Sequence, residues 1–368
     1  MTSNHMLTVA LCVLASTFTP ALVRTAAAGQ AGPSLQASQD PREPALLAQC
    51  KNPPPAAQGR GRAGGGRGAA AGRGRGAQPE GPRDYTVTAI PGVIAAGQTW
   101  TFVWQELGNN GDGIIGTDDG GLLVAQNDNS RVVKLSTNGQ ASVVYSDTNT
   151  GGALSMSPTG ALFIAARGFN PTIMQLAPQR RTLASSYQGD PLDCLGSVLN
   201  DLTADSRGGV YFTMGGVYYA SPAGVVTPYG DNLRPNGIVL SADEQTLYVT
   251  NGPTLAAFDV RPDGSLTNQR EFATLEAGGG GDGLTIDAAG RVYVATGAGV
   301  QVVGPDGRYL GVIPTPRGTI STAFGGRDKK TLFVLARGAR DAAGTEVANA
   351  AQVYTIQMIA QGYMGRAK

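Results

Sequence analysis

One histidine, His5, is present in the whole 368-residue sequence, and it sits in the N-terminal stretch that reads as an export signal. Once that stretch is removed, there is no side chain from which to build a Ser-His-Asp triad, a histidine-ligated zinc site or an imidazole base. Lysine is almost as rare. Lys51, Lys134, Lys329, Lys330 and Lys368 are the only copies, and none heads one of the repeated strands described below, which argues against a lysine base. Charged residues make up 15% of the chain and nearly cancel, leaving a formal charge of +1. That balance offers no basic face for nucleic acid and no acidic one for a basic partner. Catalysis, if the chain performs any, has to come from carboxylates and a metal.

Cysteine is the third scarcity. Cys12 belongs to the N-terminal stretch, which leaves Cys50 and Cys194. In an exported chain these form one disulfide tying the N-terminal tail to the body, or they remain two separate thiols. The export reading rests on an apolar run over residues 6–23 followed by Ala26-Ala27-Ala28-Gly29, a signal-peptidase-like site. Thr17, Thr19 and Pro20 interrupt the run and make it short for a membrane span. A membrane anchor is the alternative, since no Lys or Arg precedes the run. The expected organisation is a signal over 1–28, a disordered Gly/Ala/Arg/Pro-rich linker over 29–83, a folded body over 84–360 and a tail over 361–368. The expected location is secreted or periplasmic, with no stable membrane insertion after signal removal. The linker's arginines have no interleaved aromatics to stack bases, so no nucleic-acid partner is expected.

Against these scarcities stand 54 glycines and many short runs of Val, Leu, Thr and Tyr. From residue 84 one pattern recurs: a small or polar residue, a short apolar strand, an Asp/Gly-rich turn and a second strand. "DGIIGTDDGGLLVAQ" begins at Asp112, "GALSMSPTGALFIAA" at Gly152, "NDLTADSRGGVYFT" at Asn200, "NGIVLSADEQTLYVT" at Asn236, "DGLTIDAAGRVYVAT" at Asp282 and "ISTAFGGRDKKTLFVLA" at Ile320. The starts lie about 35 to 50 residues apart, the spacing of propeller blades. The pattern predicts an all-β, six-bladed β-propeller in which strand-like residues 85–105 complete the last blade and remove an open edge.

In such a ring the innermost strands line one axis, so their heads meet: Asp112, Gly152, Asn200, Asn236, Asp282 and residues 319–321. Two carboxylates and two carboxamides on an axis form an all-oxygen cage suited to a hard cation. Asn-Gly and Asp-Gly are also turn formers, so one such pair alone reads as a loop device, whereas four in equivalent positions of one ring favour the cage. "ARGFNP" places Arg167 near the channel mouth, where it would meet a substrate carboxylate or stay an ordinary surface arginine.

The motifs "RPNGIVLSADEQTLYVTN", "LNDLTADSRGGVYFT", "GDGLTIDAAGRVYVAT" and "AFGGRDKKTLFVLA" resemble, in order, those of the senescence-marker-protein/gluconolactonase/luciferin-regenerating-enzyme family. The resemblance implies a six-bladed propeller with a divalent cation in its channel, acting as a lactonase on a small lactone or ester, and we expect a monomer. It implies Asn236 and Asp282 as metal ligands, with Asp282 also the catalytic base or nucleophile. It further implies Asn200 as a ligand or substrate contact. Where the family has Glu-Gly-Pro, this chain has Asp112, so either Asp112 or Glu106 stands in for the usual glutamate. The cation is expected to be Ca²⁺, with Mg²⁺, Zn²⁺ or Mn²⁺ as alternatives. An arginine two residues before the Asn-Asp pair is replaced by Val198, which admits a more apolar substrate than a sugar-acid lactone. A non-catalytic binding propeller and a phosphotriester hydrolase using the same cage are the competing functions.

Overall fold

A computed structural model describes residues 40–52 and 81–368. The expected signal over 1–28 and the linker residues 29–39 and 53–80 lie outside the described residues. The body contains six four-stranded antiparallel sheets and one two-stranded hairpin, Ser186–Tyr187 with Asp190–Pro191. Each four-stranded sheet is a blade, and in five of the six the strands follow one another in sequence from the axis outward. The innermost strands are Gly111–Gly116, Gly151–Met156, Leu202–Ala204, Pro235–Leu240, Leu284–Ile286 and Thr319–Gly325, in blades 1 to 6.

The sixth blade is the closure. Its order is Thr319–Gly325, Thr331–Arg340, Glu346–Gln357 and then Thr101–Leu107, the first strand of the body. Thr101 pairs with Thr355 and Leu107 with Ala350, so both ends of the repeat are held in one sheet. This is the closure expected from the sequence. Residues 85–100 do not extend that strand. Val87, Ile90, Val93, Ile94 and Trp100 pack instead between blades 5 and 6, and Trp100 donates its indole N–H to Pro314 O at 2.7 Å.

Blade strands read as nearly unbroken apolar runs because both faces of each blade are covered by its neighbours. Leu122–Gln126 and Leu162–Ala166 are buried along their whole length, whereas the outer strand Ala141–Tyr145 is largely exposed. The hydrophobic core is accordingly divided into six wedges, one between each pair of neighbouring blades. Ile115, Leu123, Leu154 and Ile164 fill the wedge between blades 1 and 2, for example. Apolar burial is satisfied between blades, so the axis is left to polar strand heads.

Residues 40–52 fall within the stretch expected to be linker, yet they are seated on the propeller. They carry a short helix, Glu43–Leu47, and a disulfide from Cys50 to Cys194 with Cα atoms 5.7 Å apart. The Arg42 guanidinium lies 4.2 Å from the centroid of Phe169, and Lys51 N–H donates to the Asp190 carboxylate at 2.9 Å. Of the two sequence readings of Cys50 and Cys194, the disulfide tying the tail to the body is the one the structure shows, and it seats a segment whose composition marks it as unable to fold alone.

Candidate active site at the head of the channel

The strand heads reach the axis because of the residue that follows them. Gly113, Gly237 and Gly283 come directly after Asp112, Asn236 and Asp282, and none of the three has a positive φ. They are therefore not turn glycines. A Cβ at Gly237 would lie 2.1 Å from Asp282 O, one at Gly113 2.6 Å from Gly152 O, and one at Gly283 2.8 Å from Ser321 Oγ. Neighbouring inner strands close on the axis only where the side chain is a hydrogen. The turn-device reading of Asn-Gly and Asp-Gly is therefore not what these three glycines serve; they permit close approach at the axis, which neither sequence reading named.

The approach brings Asp112, Asn200, Asn236 and Asp282 to one cavity, which Asp201 and Ser321 also line. All four expected ligands are thus together. Glu106 is not with them. It lies on the outermost strand of blade 6 and is held by Arg131 Nη2 at 2.5 Å and by Gln126. Asp112, rather than Glu106, is the carboxylate that blade 1 presents to the axis.

Arg167 is placed differently from its expected position at an open mouth. It is 4% exposed. One guanidinium nitrogen pairs with Asp112 Oδ2, and Nη2 donates to Asn200 O at 2.5 Å. Gly152 provides the space, since a Cβ there would fall 1.8 Å from Arg167 Cζ. The head of blade 2 is therefore a hole shaped for an arginine one strand further out. Buried Arg167 Nε has no hydrogen-bond partner among the described residues.

Three carboxylates converge here, and their compensation is unequal. Asp112 is paired with Arg167. Asp201 accepts Leu202 N–H at 2.8 Å, Ile238 N–H at 2.9 Å and the ammonium of Lys368. Asp282 is 9% exposed, and its nearest cation is Arg337 Nη2 at 3.6 Å, on a side chain 41% exposed. Burial first, and then the Asp112 charge, push the Asp282 carboxyl up to about 7, against the opposing pull of Arg337. Between the acids, Asn200 Nδ2 donates to Asn236 Oδ1 at 2.8 Å.

This donor set fits a hard cation: carboxylate oxygens from blades 1 and 5, carboxamide oxygens from blades 3 and 4, and one acid short of positive charge. No three His, Cys, Asp or Glu among the described residues form a metal-holding group by themselves. A cation held here would therefore need the carboxamides as well as the acids. Sequence reasoning missed Arg337, which lies within the strand Thr331–Arg340 just after the quoted "AFGGRDKKTLFVLA", and Lys368, which lies in the tail with no motif around it. Asp201 was legible only as the second half of an Asn-Asp pair.

Residues 128–337 match the family model described as the SMP-30/Gluconolactonase/LRE-like region. A gluconolactonase of Zymomonas mobilis subsp. mobilis is 28% identical over 217 residues, covering 50% of this chain and 60% of the relative. Lactonase drp35 of Staphylococcus saprophyticus subsp. saprophyticus is 32% identical over 194 residues, covering 45% of this chain and 56% of the relative. The alignments thus span little more than half the length of these curated relatives. The solved structure of a gluconolactonase from Xanthomonas campestris superposes with a TM-score of 0.61 at 23% identity, covering 78% of this chain and 99% of that one, a likeness of fold. With the matched region covering more than half of its length and the axial heads in place, the chain belongs to the SMP-30/gluconolactonase/LRE-like family.

Proposed function

We propose that this chain hydrolyses a lactone or related ester, adding water across the acyl C–O bond to give the hydroxy acid, with Asp282 as the base. The observation that carries the proposal is the contrast among the three axial acids. Asp112 and Asp201 are tied to cations and backbone amides, whereas no hydrogen bond reaches the Asp282 carboxylate among the described residues. A carboxylate with a pKa near neutrality and a free oxygen facing a cavity is suited to take a proton from water. Asp112, Asn200, Asn236 and Asp282 would hold a divalent cation, with calcium favoured by the all-oxygen donor set. When bound, that cation supplies Lewis acidity to a carbonyl oxygen. The remaining work belongs to side chains. Arg167 anchors Asp112, and Arg337, with Nη2 3.6 Å from Asp282 Oδ2, is the cation available to a product carboxylate.

The reading includes export, supported by the Cys50–Cys194 bond, because such bonds persist in oxidising compartments. It also takes the chain as a monomer acting on a small molecule. The seat of Arg167 on Asp112 favours a second reading, a channel that binds a ligand without turning it over. Both are tested by assaying a panel of aliphatic lactones and aryl esters with wild type, wild type plus chelator, and Asp282→Asn. Turnover lost on chelation and in the variant supports the hydrolase. Retained binding of a lactone without turnover supports the second reading.

A further inference from the structure

The lower end of the channel is closed by the last residues of the sequence. Inner strands run from the head end downward, so Met156, Leu240 and Asp287 mark the opposite end in blades 2, 4 and 5. Residues 362–368 visit all three. Gly362 bridges to Asp287 and Ala367 to Met156, while Arg366 Nη2 donates to Leu240 O at 2.6 Å. From this anchored stretch the Lys368 side chain, 6% exposed, rises along the axis. Its ammonium donates to Leu202 O at 2.8 Å and to Asp201 Oδ1. Asp201 adjoins Asn200 and lines the same cavity as Asp112 and Asp282. Its second oxygen fixes Ile238 N–H, two residues after Asn236.

We propose that Lys368 is a positioning residue for the donor ring. It is a tethered cation in the channel floor that keeps Asp201 bound to the backbone and out of the ring, and so limits how tightly the ring holds a divalent cation. The inference rests on the cation-holding reading of Asp112, Asn200, Asn236 and Asp282. Its physical content is a sign. A plug that merely fills space leaves ion affinity unchanged or lowers it when removed. Removal of a buried like charge, with release of a third carboxylate, raises it.

The test is calorimetric titration of the full exported chain, stripped by chelator, with Ca²⁺ alone. Wild type is compared with Lys368→Met, which keeps the length and removes the charge, and with Lys368→Arg, which keeps the charge. The expected result is binding at least about tenfold tighter in Lys368→Met and near wild type in Lys368→Arg, a tenfold step corresponding to about 1.4 kcal/mol. Unchanged or weaker binding in Lys368→Met overturns the proposal. If wild type binds neither Ca²⁺ nor Mg²⁺, Mn²⁺ or Zn²⁺, the donor ring itself is wrong, and the proposal falls with it in a way that cannot be confused with the first failure. Should Lys368→Met not fold, ¹⁵N-lysine-labelled wild type decides. The chain has five lysines, and the Lys368 Nζ resonance, identified by its loss in Lys368→Arg, shifts on Ca²⁺ addition if the two sites are coupled and stays put if they are not.

Discussion

Blades 3, 4 and 5 meet the axis with Asn200, Asn236 and Asp282, whereas blades 1 and 2 meet it with Asp112 locked to Arg167 over Gly152. The first half presents oxygens whose only strong mutual contact is a neutral hydrogen bond. The second presents an ion pair that has already chosen its partner. Both halves come from the same repeat, with a polar head, a glycine or its equivalent and an inner strand. The difference lies one strand outward, where blade 2 carries an arginine long enough to reach the axis. A head residue's chemistry is therefore set by what the next strand aims at it, and Asp112 and Asp282 are not interchangeable carboxylates.

The sharpest way to break that comparison is to neutralise each acid in turn. Asp282→Asn is expected to lower turnover of the best lactone by about a thousandfold, within the range for removing a general base. Asp112→Asn leaves an oxygen on the axis and is expected to cost far less turnover, about tenfold, while destabilising the fold through an unpaired Arg167. Steady-state kinetics on the two variants decides it. Equal losses would mean that the ion pair in blades 1 and 2 does not set its acid apart.

Gly152→Ala attacks the same pair without touching a charge. The added Cβ falls 1.8 Å from Arg167 Cζ and must displace the guanidinium from Asp112. Overpacking together with a broken buried pair is expected to cost about 2–4 kcal/mol in denaturant unfolding. Gly297→Ala, where nothing lies within 4 Å of the new atom, is the matched control and is expected to be near neutral.

These positions also show how far the sequence can be read. The fold was legible because a propeller writes its architecture as a repeat: each inner strand, turn and second strand recurs, and the need to close the ring fixes the role of the first strand. Asp112, Asn200, Asn236 and Asp282 were legible for the same reason, since equivalent places in a ring must meet. What could not be read were the contacts that break the symmetry. Arg167 is an ordinary arginine in "ARGFNP" until the missing side chain of Gly152 is set beside it. Lys368 lies in a tail with no periodic signal. Phe102, a large aromatic on the closing strand, is half exposed and meets Tyr354 edge to face rather than packing between blades. Repeats encode what blades share, and function here depends partly on what they do not.

A smaller effect follows from the loosely paired acid. The folded-state pKa of Asp282 lies near 7, above its ordinary value of 3.8, so the native state holds this proton more tightly than the unfolded state does. The associated stability is fully present below about 4 and is lost as pH rises through about 7. Chelator-treated protein is expected to lose melting temperature across that window. Asp282→Asn should flatten the slope, and added Ca²⁺ should stabilise wild type more at pH 8 than at pH 5. Differential scanning calorimetry on both chains reads all three outcomes. A slope unaltered by the variant would move the titration to another group and weaken the contrast between the two halves.

The weakest expected effect on global stability is also the most local. Cys50 and Cys194 are 144 residues apart, and chain-entropy arithmetic for such a loop gives about 5 kcal/mol when the native state stays fully ordered without the link. That condition fails for this bond. Apart from the sulfurs, the contacts that seat residues 40–52 include Arg42 on Phe169 and Lys51 on Asp190 and Gln188, which can open while the blades stay intact. A native state lacking the bond regains much of the entropy that its loss gives the unfolded chain. A Cys50→Ser/Cys194→Ser chain should thus lose only about 1–2 kcal/mol of global stability, less than the loop estimate. Phe169 and Leu192–Leu195 belong to the head-end loops of blades 2 and 3, adjoining Arg167 and Asn200. Hydrogen exchange in the variant should therefore rise in those loops and remain unchanged around Asn236 and Asp282. Uniform acceleration around all six blades would mean that the tie stabilises the whole ring, and that the division into a cross-braced half and an open half does not extend beyond the axis.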